Sequence, residues 1–199
     1  MMRKNGVTKL RNHCDWLWFL NDIFHVEPID CAFTGRQRLC RVDEKIWRVK
    51  KDMADQALVE LLLSGVEPWN AARPEHHVDL EGADLTGANL QGANLKQVNL
   101  KGAKLAGVNA ADANFSMAEM EGCVLDQGIF HRCDFSGAHL ENASLICADF
   151  TQAKMGWAVL SGADLSAAIL KEAWMRRINL ENACLNAADC SQAFLHKAG

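Results

Sequence analysis

The chain has 199 residues, eight cysteines and a formal net charge of −4 at neutral pH. That length suits one sizeable core with an appendage, and the mild acidity excludes a protein whose whole surface grips polyanions. No apolar run approaches the roughly 20 residues a membrane-spanning helix needs, and Trp16–Leu20, flanked by Asp15 and Asn21, is too short for a secretory apolar core.

Taken in order, residues 1–42 carry the least pattern. Apolar residues at 16, 17, 19, 20, 23 and 24 predict a short helix, and Ile29–Phe33 with Leu39–Val42 flank Thr34-Gly35 as a hairpin. His13, Cys14, His25, Cys31 and Cys40 lie here too, at irregular spacings that fit ordinary packing better than a metal site. Asp43 as an N-cap, an apolar stripe at Ile46, Val49, Met53, Ala57, Leu58, Leu61 and Leu62, and Gly65 as a stop predict a helix over 43–64. Its stripe has a natural packing surface if the next segment is a stack with an open end. Val66–Asn70 and Pro74 read as the lead-in to that segment.

From His76 to Leu195 a five-residue phase runs unbroken through 24 units. The central residue is Leu in fifteen units, Phe at 115, 130, 135 and 150, Met at 120, 155 and 175, with Ala110 and Cys190 as exceptions. Two residues earlier stands Ala in 17 units, and two residues later Gly in eight. An α-helix fails here, because each unit would rotate its Leu by about 140° and bury no face. An extended segment points both apolar positions to one side, provided the chain turns a corner in every unit. Cys123, Cys133 and Cys190 then fall inward as small hydrophobes, no CxxC spacing occurs, and a reducing, cytoplasmic compartment is expected.

The units Ala83-Asp84-Leu85-Thr86-Gly87 and Ala88-Asn89-Leu90-Gln91-Gly92 resemble the pentapeptide-repeat family. So does Ala163-Asp164-Leu165-Ser166-Ala167, apart from Ala167 where Gly is preferred; Gly65-Val66-Glu67-Pro68-Trp69-Asn70 is similar to a lead-in that precedes such repeats. The resemblance implies a right-handed quadrilateral β-helix, four units per coil and about six coils over 76–195. Such a rod is roughly 29 Å long. The expected organisation is an N-terminal, partly helical capping region over 1–75, the β-helix over 76–195 and a short tail over 196–199.

A filled four-sided rod offers flat faces rather than a convergent pocket, and no nucleophile–base set or phosphate-cradling loop stands out, so no enzyme, metal or cofactor is expected. Function must then lie on a face. With four units per coil, one face carries Asp79, Glu81, Glu119, Glu121, Glu141 and Glu181 against Lys101, net −5. The next two are −2 each, and the fourth is +4, with Lys96, Lys154, Arg176, Arg177 and Lys197 against Asp134. That fourth face also shows Met117, Trp157, Trp174 and Phe194 outward. Local packing and an interaction patch are both readings of these rings; Trp and Arg are enriched at interface hot spots, which favours the patch. The sequence thus reads as a protein–protein interaction scaffold with Trp157, Trp174, Arg176, Arg177 and Phe194 as anchors. Only His196–Gly199 follow Leu195, so no helix is expected over the last coil and an end-to-end homodimer would cover it. The alternative comes from the resemblance: some members bind DNA gyrase or topoisomerase IV as DNA mimics and protect them from quinolones. The basic face and the small net charge of the repeats count against it. Direct nucleic-acid binding through five cations is electrostatically weak.

Overall fold

The computed structural model describes residues 56–74 and 78–199, within the compact unit Asp55–Gly199. The helix and hairpin expected before residue 43, the cysteine–histidine group at 13–40 and the 43–55 part of the expected helix lie outside the described residues.

From Asp79 onward every unit contributes one residue to a parallel bridge with the residue 20 positions later, beginning Asp79–Asn99 and ending Trp174–Phe194. Twenty such bridges stack in four columns, so the chain returns over itself every four units. Each crossing carries three backbone bonds: Leu85 N–H donates to Lys104 C=O at 2.8 Å, Lys104 N–H to Ala83 C=O at 2.9 Å, and Gly87 N–H to Ala106 C=O at 2.9 Å. Within the unit, Ala88 N–H closes back on Leu85 C=O at 3.0 Å and makes the corner.

The corner demands a positive φ two residues after each centre. Eight of these positions are Gly, such as Gly82 at 68°, but the other sixteen are not, from Gln97 at 58° to Lys197 at 56°. A side chain there costs roughly 1–2 kcal/mol. Eleven of the sixteen, from Asp112 to Arg177, accept that cost because stacking bonds on both sides hold the conformation; Gln97 and the four corners of the last coil are bonded to one neighbouring coil.

The Asp or Asn before the centre has a second local task. Each of the twelve at that place accepts a hydrogen bond on Oδ1 from the backbone N–H two residues on, as Asp84 does from Thr86 and Asn179 from Glu181. These Asx caps occupy an outward N–H that no coil above or below reaches.

The interior is a column of central side chains, most with no exposed surface from Leu90 to Leu170. Its middle is aromatic. Phe115 stacks on Phe135 at 4.8 Å, Phe130 on Phe150 at 5.0 Å, and the two stacks meet edge to face. The bulk of Phe130 explains Gly128 in a place mostly given to Ala: a Cβ there would lie 2.5 Å from the Phe130 ring. Cys123 and Cys133 fill two more of these small-residue places, each S–H donating to a carbonyl one turn back, and burial pushes both thiols up to about 12. At neutral pH they are protonated and unreactive.

Among the described residues two helical segments precede the repeats, α1 over 56–64 and α2 over Val66–Ala72. The sequence reading treats Val66–Asn70 only as a lead-in; it is helical, and Pro68 sits in the first turn, where its missing N–H costs nothing. Trp69 is fully buried and donates Nε1–H to Asn94 C=O at 2.9 Å. Asn70 brackets the same strand, donating to Gly92 C=O and accepting from Asn94 N–H, and Arg73 donates to Lys96 C=O.

The caps make stability pH-dependent. Hydrogen bonds from Thr86 hold Asp84 below the ordinary carboxylate value, those from Ser166 do the same for Asp164, and those from Ser191 for Asp189. A folded-state value below the unfolded one gives stability that is present above the unfolded value and lost as pH falls through the folded one. The denaturant midpoint should therefore fall between about pH 5 and pH 2. Asp164→Asn, which keeps the cap without a proton, should flatten that fall; an unchanged slope would show that Asp164 plays no part in it.

Candidate functional site

Of the five anchor residues read from the sequence, Trp174 and Phe194 lie on the column through Asn94, Asn114, Asp134, Lys154, Trp174 and Phe194, and Trp157, Arg176 and Arg177 flank it in the units of Lys154 and Trp174. Trp174 and Phe194 are successive members of it, 58% and 53% exposed, with ring centroids 4.8 Å apart. Trp157 stands at the neighbouring corner, 61% exposed at φ 63°, and the guanidinium of Arg177 one turn on lies 4.4 Å from the centre of its ring. This cation–π contact holds both side chains at the rim without burying either. Arg176 lies between the two rims and is exposed. Between Lys154 and Trp157 stands Gly156, so the floor of the face is bare backbone.

Charges on this face differ from those elsewhere. Arg132, at the adjoining corner, forks onto Asp112 at 2.7 and 2.8 Å, Lys104 reaches Asp84, and Lys101 sits between Glu119 and Glu121. Lys154, Arg176, Arg177 and Lys197 have no carboxylate partner among the described residues. A shallow hollow of about 660 Å³ opens beside Lys154, Trp174 and Phe194, reaching Arg132, Gln152, Glu172 and Gln192.

The backbone differs as well. Where this column holds Asn94, Asn114 and Asp134, the N–H groups of Lys96, Ser116 and Ser136 are capped. Lys154, Trp174 and Phe194 offer no such acceptor. The N–H groups of Gly156, Arg176 and His196 consequently have no partner among the described residues. Sequence reading missed these three donors, although the loss of Asx at 154, 174 and 194 was their visible signal. It also missed Trp69, Asn70 and Arg73, whose roles depend on contacts more than 20 residues away.

The acidic face is more engaged than a charge count suggests. Asp79 is buried and accepts from Glu81 N–H and Asn99 Nδ2, and Asn99 also reaches Glu81. Hydrogen bonds that Lys101 donates to Glu119 and then Glu121 hold its ammonium well above its ordinary value. Glu141 pairs with His139 at 3.1 Å, and Glu181 is exposed. Glu121, His139 and Glu141 bring one metal-type donor atom each to within 4.8 Å of one another. Lys101, 3.0 Å from Glu121, is the cation that group already has.

Comparison with known proteins now decides the lineage. The family model for pentapeptide repeats matches in eight copies over residues 76–102, 88–127, 130–162, 143–182 and 163–198, more than half of the chain. The chain belongs to the pentapeptide-repeat family. Among solved members of the family, Rfr23 from the cyanobacterium Cyanothece 51142 is 26% identical with a TM-score of 0.55, over 56% of this chain and 90% of that one. HetL, involved in heterocyst differentiation regulation in the cyanobacterium Nostoc, is 30% identical with a TM-score of 0.43, over 63% of this chain and 66% of HetL. QnrB1, a plasmid-mediated fluoroquinolone resistance protein, is 18% identical with a TM-score of 0.41, over 63% and 74%. A search of curated proteins finds no match. Among the described residues no helix is long and apolar enough to cross a membrane.

Because the anchor side chains lie outside the core, removing them should leave the fold intact. Trp174→Ala and Arg177→Ala should each change the unfolding free energy by less than about 1 kcal/mol. Urea denaturation followed by circular dichroism checks this; a larger loss would assign the rings to packing rather than to a surface.

Proposed function

We propose that this protein is a non-enzymatic, cytoplasmic interaction scaffold that docks a protein partner on the face built by Trp157, Trp174, Arg176, Arg177 and Phe194. Its frame in this reading is a right-handed quadrilateral β-helix of about six coils over 76–195. The helices over 56–64 and Val66–Ala72 lead into it, and 196–199 follow it as a tail. The observation that carries the reading is the combination of three half-exposed rings with four cations that lack carboxylate partners among the described residues. Trp and Arg in this setting have the composition of an interface hot spot, and a rigid scaffold keeps the ordering cost of binding low.

The rival reading, a DNA mimic that binds gyrase or topoisomerase IV and protects it from quinolones, needs a continuously negative surface. Lys101 bridging Glu119 and Glu121, and the unneutralised cations of the opposite character on the fourth face, work against it. Immobilised protein should capture a partner from its host's lysate, and a Trp174→Ala/Arg177→Ala double variant should release it. Unchanged capture by that variant overturns the assignment of the face; recovery of a type II topoisomerase, released by Glu121→Lys instead, would favour the mimic.

Self-association belongs to the same reading. Leu180, Leu185 and Cys190 are only partly buried and Leu195 is 45% exposed. An isologous contact between two copies would cover these side chains and leave the ring-bearing face free. Light scattering at micromolar concentration should give the mass of a dimer; a monomer removes this part of the proposal.

A further inference from the structure

Three consecutive uncapped N–H groups occur twice on this molecule, and the contrast between the two places is informative. On the acidic face Glu119, His139 and Val159 stand where Asx would cap, leaving the N–H groups of Glu121, Glu141 and Ser161 without a partner among the described residues. There, the uncapped residues themselves include two carboxylates, and their surroundings repel any further anion. On the basic face the donors belong to Gly156, Arg176 and His196. No carboxylate lies on those residues, and Lys154, Arg176, Arg177 and Lys197 surround them. The donors repeat once per coil, about 4.8 Å apart, in the outward direction that an Asx oxygen occupies elsewhere. Each is placed to donate to an anionic oxygen in place of the missing cap, a charge-assisted bond stronger than a neutral one.

We propose that this column is a receptor for an extended acidic segment of the partner protein. Its carboxylates take the N–H groups of Gly156, Arg176 and His196, and an apolar side chain lies against the Trp174–Phe194 pair. The proposal rests on the docking reading above and names the chemistry that docks. Charge distribution favours a short acidic peptide over a nucleic acid. The remaining faces are net −5, −2 and −2, so a long polyanion is repelled beyond the patch, whereas a segment confined to the patch meets Lys154, Arg176, Arg177 and Lys197 against only the carboxylates of Asp134 and Glu172 at its border. The rings add an apolar contact that an all-phosphate surface would leave unused.

Substitutions separate the elements of this site. Trp174→Ala removes the ring and leaves Arg176 N–H free. Trp174→Asn removes the ring and also restores the cap, as Asn94 and Asn114 do for their own coils, so the variant carries the repeat's usual residue and retains the fold. Phe194→Ala and Phe194→Asn form a second such pair for His196 N–H. The probes are a dye-labelled synthetic peptide alternating Glu with Leu, a Lys–Leu peptide of the same length, and oligo(dT), each titrated by fluorescence anisotropy against the full chain. The Glu–Leu peptide should bind in a salt-sensitive manner, Arg176→Glu/Arg177→Glu should abolish binding, and each Asn variant should bind about tenfold more weakly than its Ala counterpart. Equal affinities within both Ala/Asn pairs overturn the role of the N–H column. Equal or tighter binding of oligo(dT), or no binding of the Glu–Leu peptide at low salt, overturns the acidic segment as ligand. If lysate capture still depends on Trp174 and Arg177 in that case, the docking face stands and only its ligand chemistry is wrong.

Discussion

Everything in this fold depends on a register: residue n bridges residue n + 20, and the corner after each centre must close at positive φ for that register to continue. The constraint acts on the backbone and leaves the outward side chains largely free. It also makes the coils interdependent, because each corner between the first and last coils is held by bonds to the coil on either side. Neither a single unit nor a single coil has the means to pay for its own corners, which is why the pattern must be long before it is stable.

The core answers the same constraint in its own way. A fixed spacing between coils near 4.8 Å is the distance at which flat rings stack, and Phe115–Phe135 and Phe130–Phe150 use it. The larger rings then dictate smaller neighbours, with Gly128 giving way to Phe130. The inward cysteines fit the same logic, since their thiols take a carbonyl on an adjoining coil rather than a reactive role. Around this rigid centre, the face with Trp157 and Trp174 can keep bulky rings in water without the fold needing them.

Much of the architecture was legible because the period of five left no alternative that buried the Leu positions. The repeat and the inward sense of the central residues followed from that, and the family from the resemblance of units such as Ala83-Asp84-Leu85-Thr86-Gly87. The corners were only partly legible. Gly82 and its seven counterparts advertised positive φ, whereas Gln127 or Trp157 at φ near 60° did not, since the stacking partners that impose it are far away in sequence. The Asp and Asn residues were read as mild surface charge, and their hydrogen bonds to the second N–H onward show a structural task instead. Trp69 was hidden for the opposite reason: its partner Asn94 lies 25 residues away, and nothing in its immediate sequence distinguishes it from a connector. On the candidate face, side-chain chemistry was visible in the letters, but the open backbone beneath it was visible only as missing Asx residues at Lys154, Trp174 and Phe194.

The double duty of that Asx position has an evolutionary consequence. With the corner residue at positive φ, it is one of two outward places per unit where a residue serves the scaffold, so surface changes elsewhere on the rod are largely neutral to folding. Replacing Asx by anything else gives up one local bond and, in the same event, opens a backbone donor at a defined height on a defined face. Recognition on such a rod is therefore acquired in discrete coil-sized steps, each taken at the expense of a single cap. A lineage can relocate its binding surface by moving those lapses along the chain, with no change to the core.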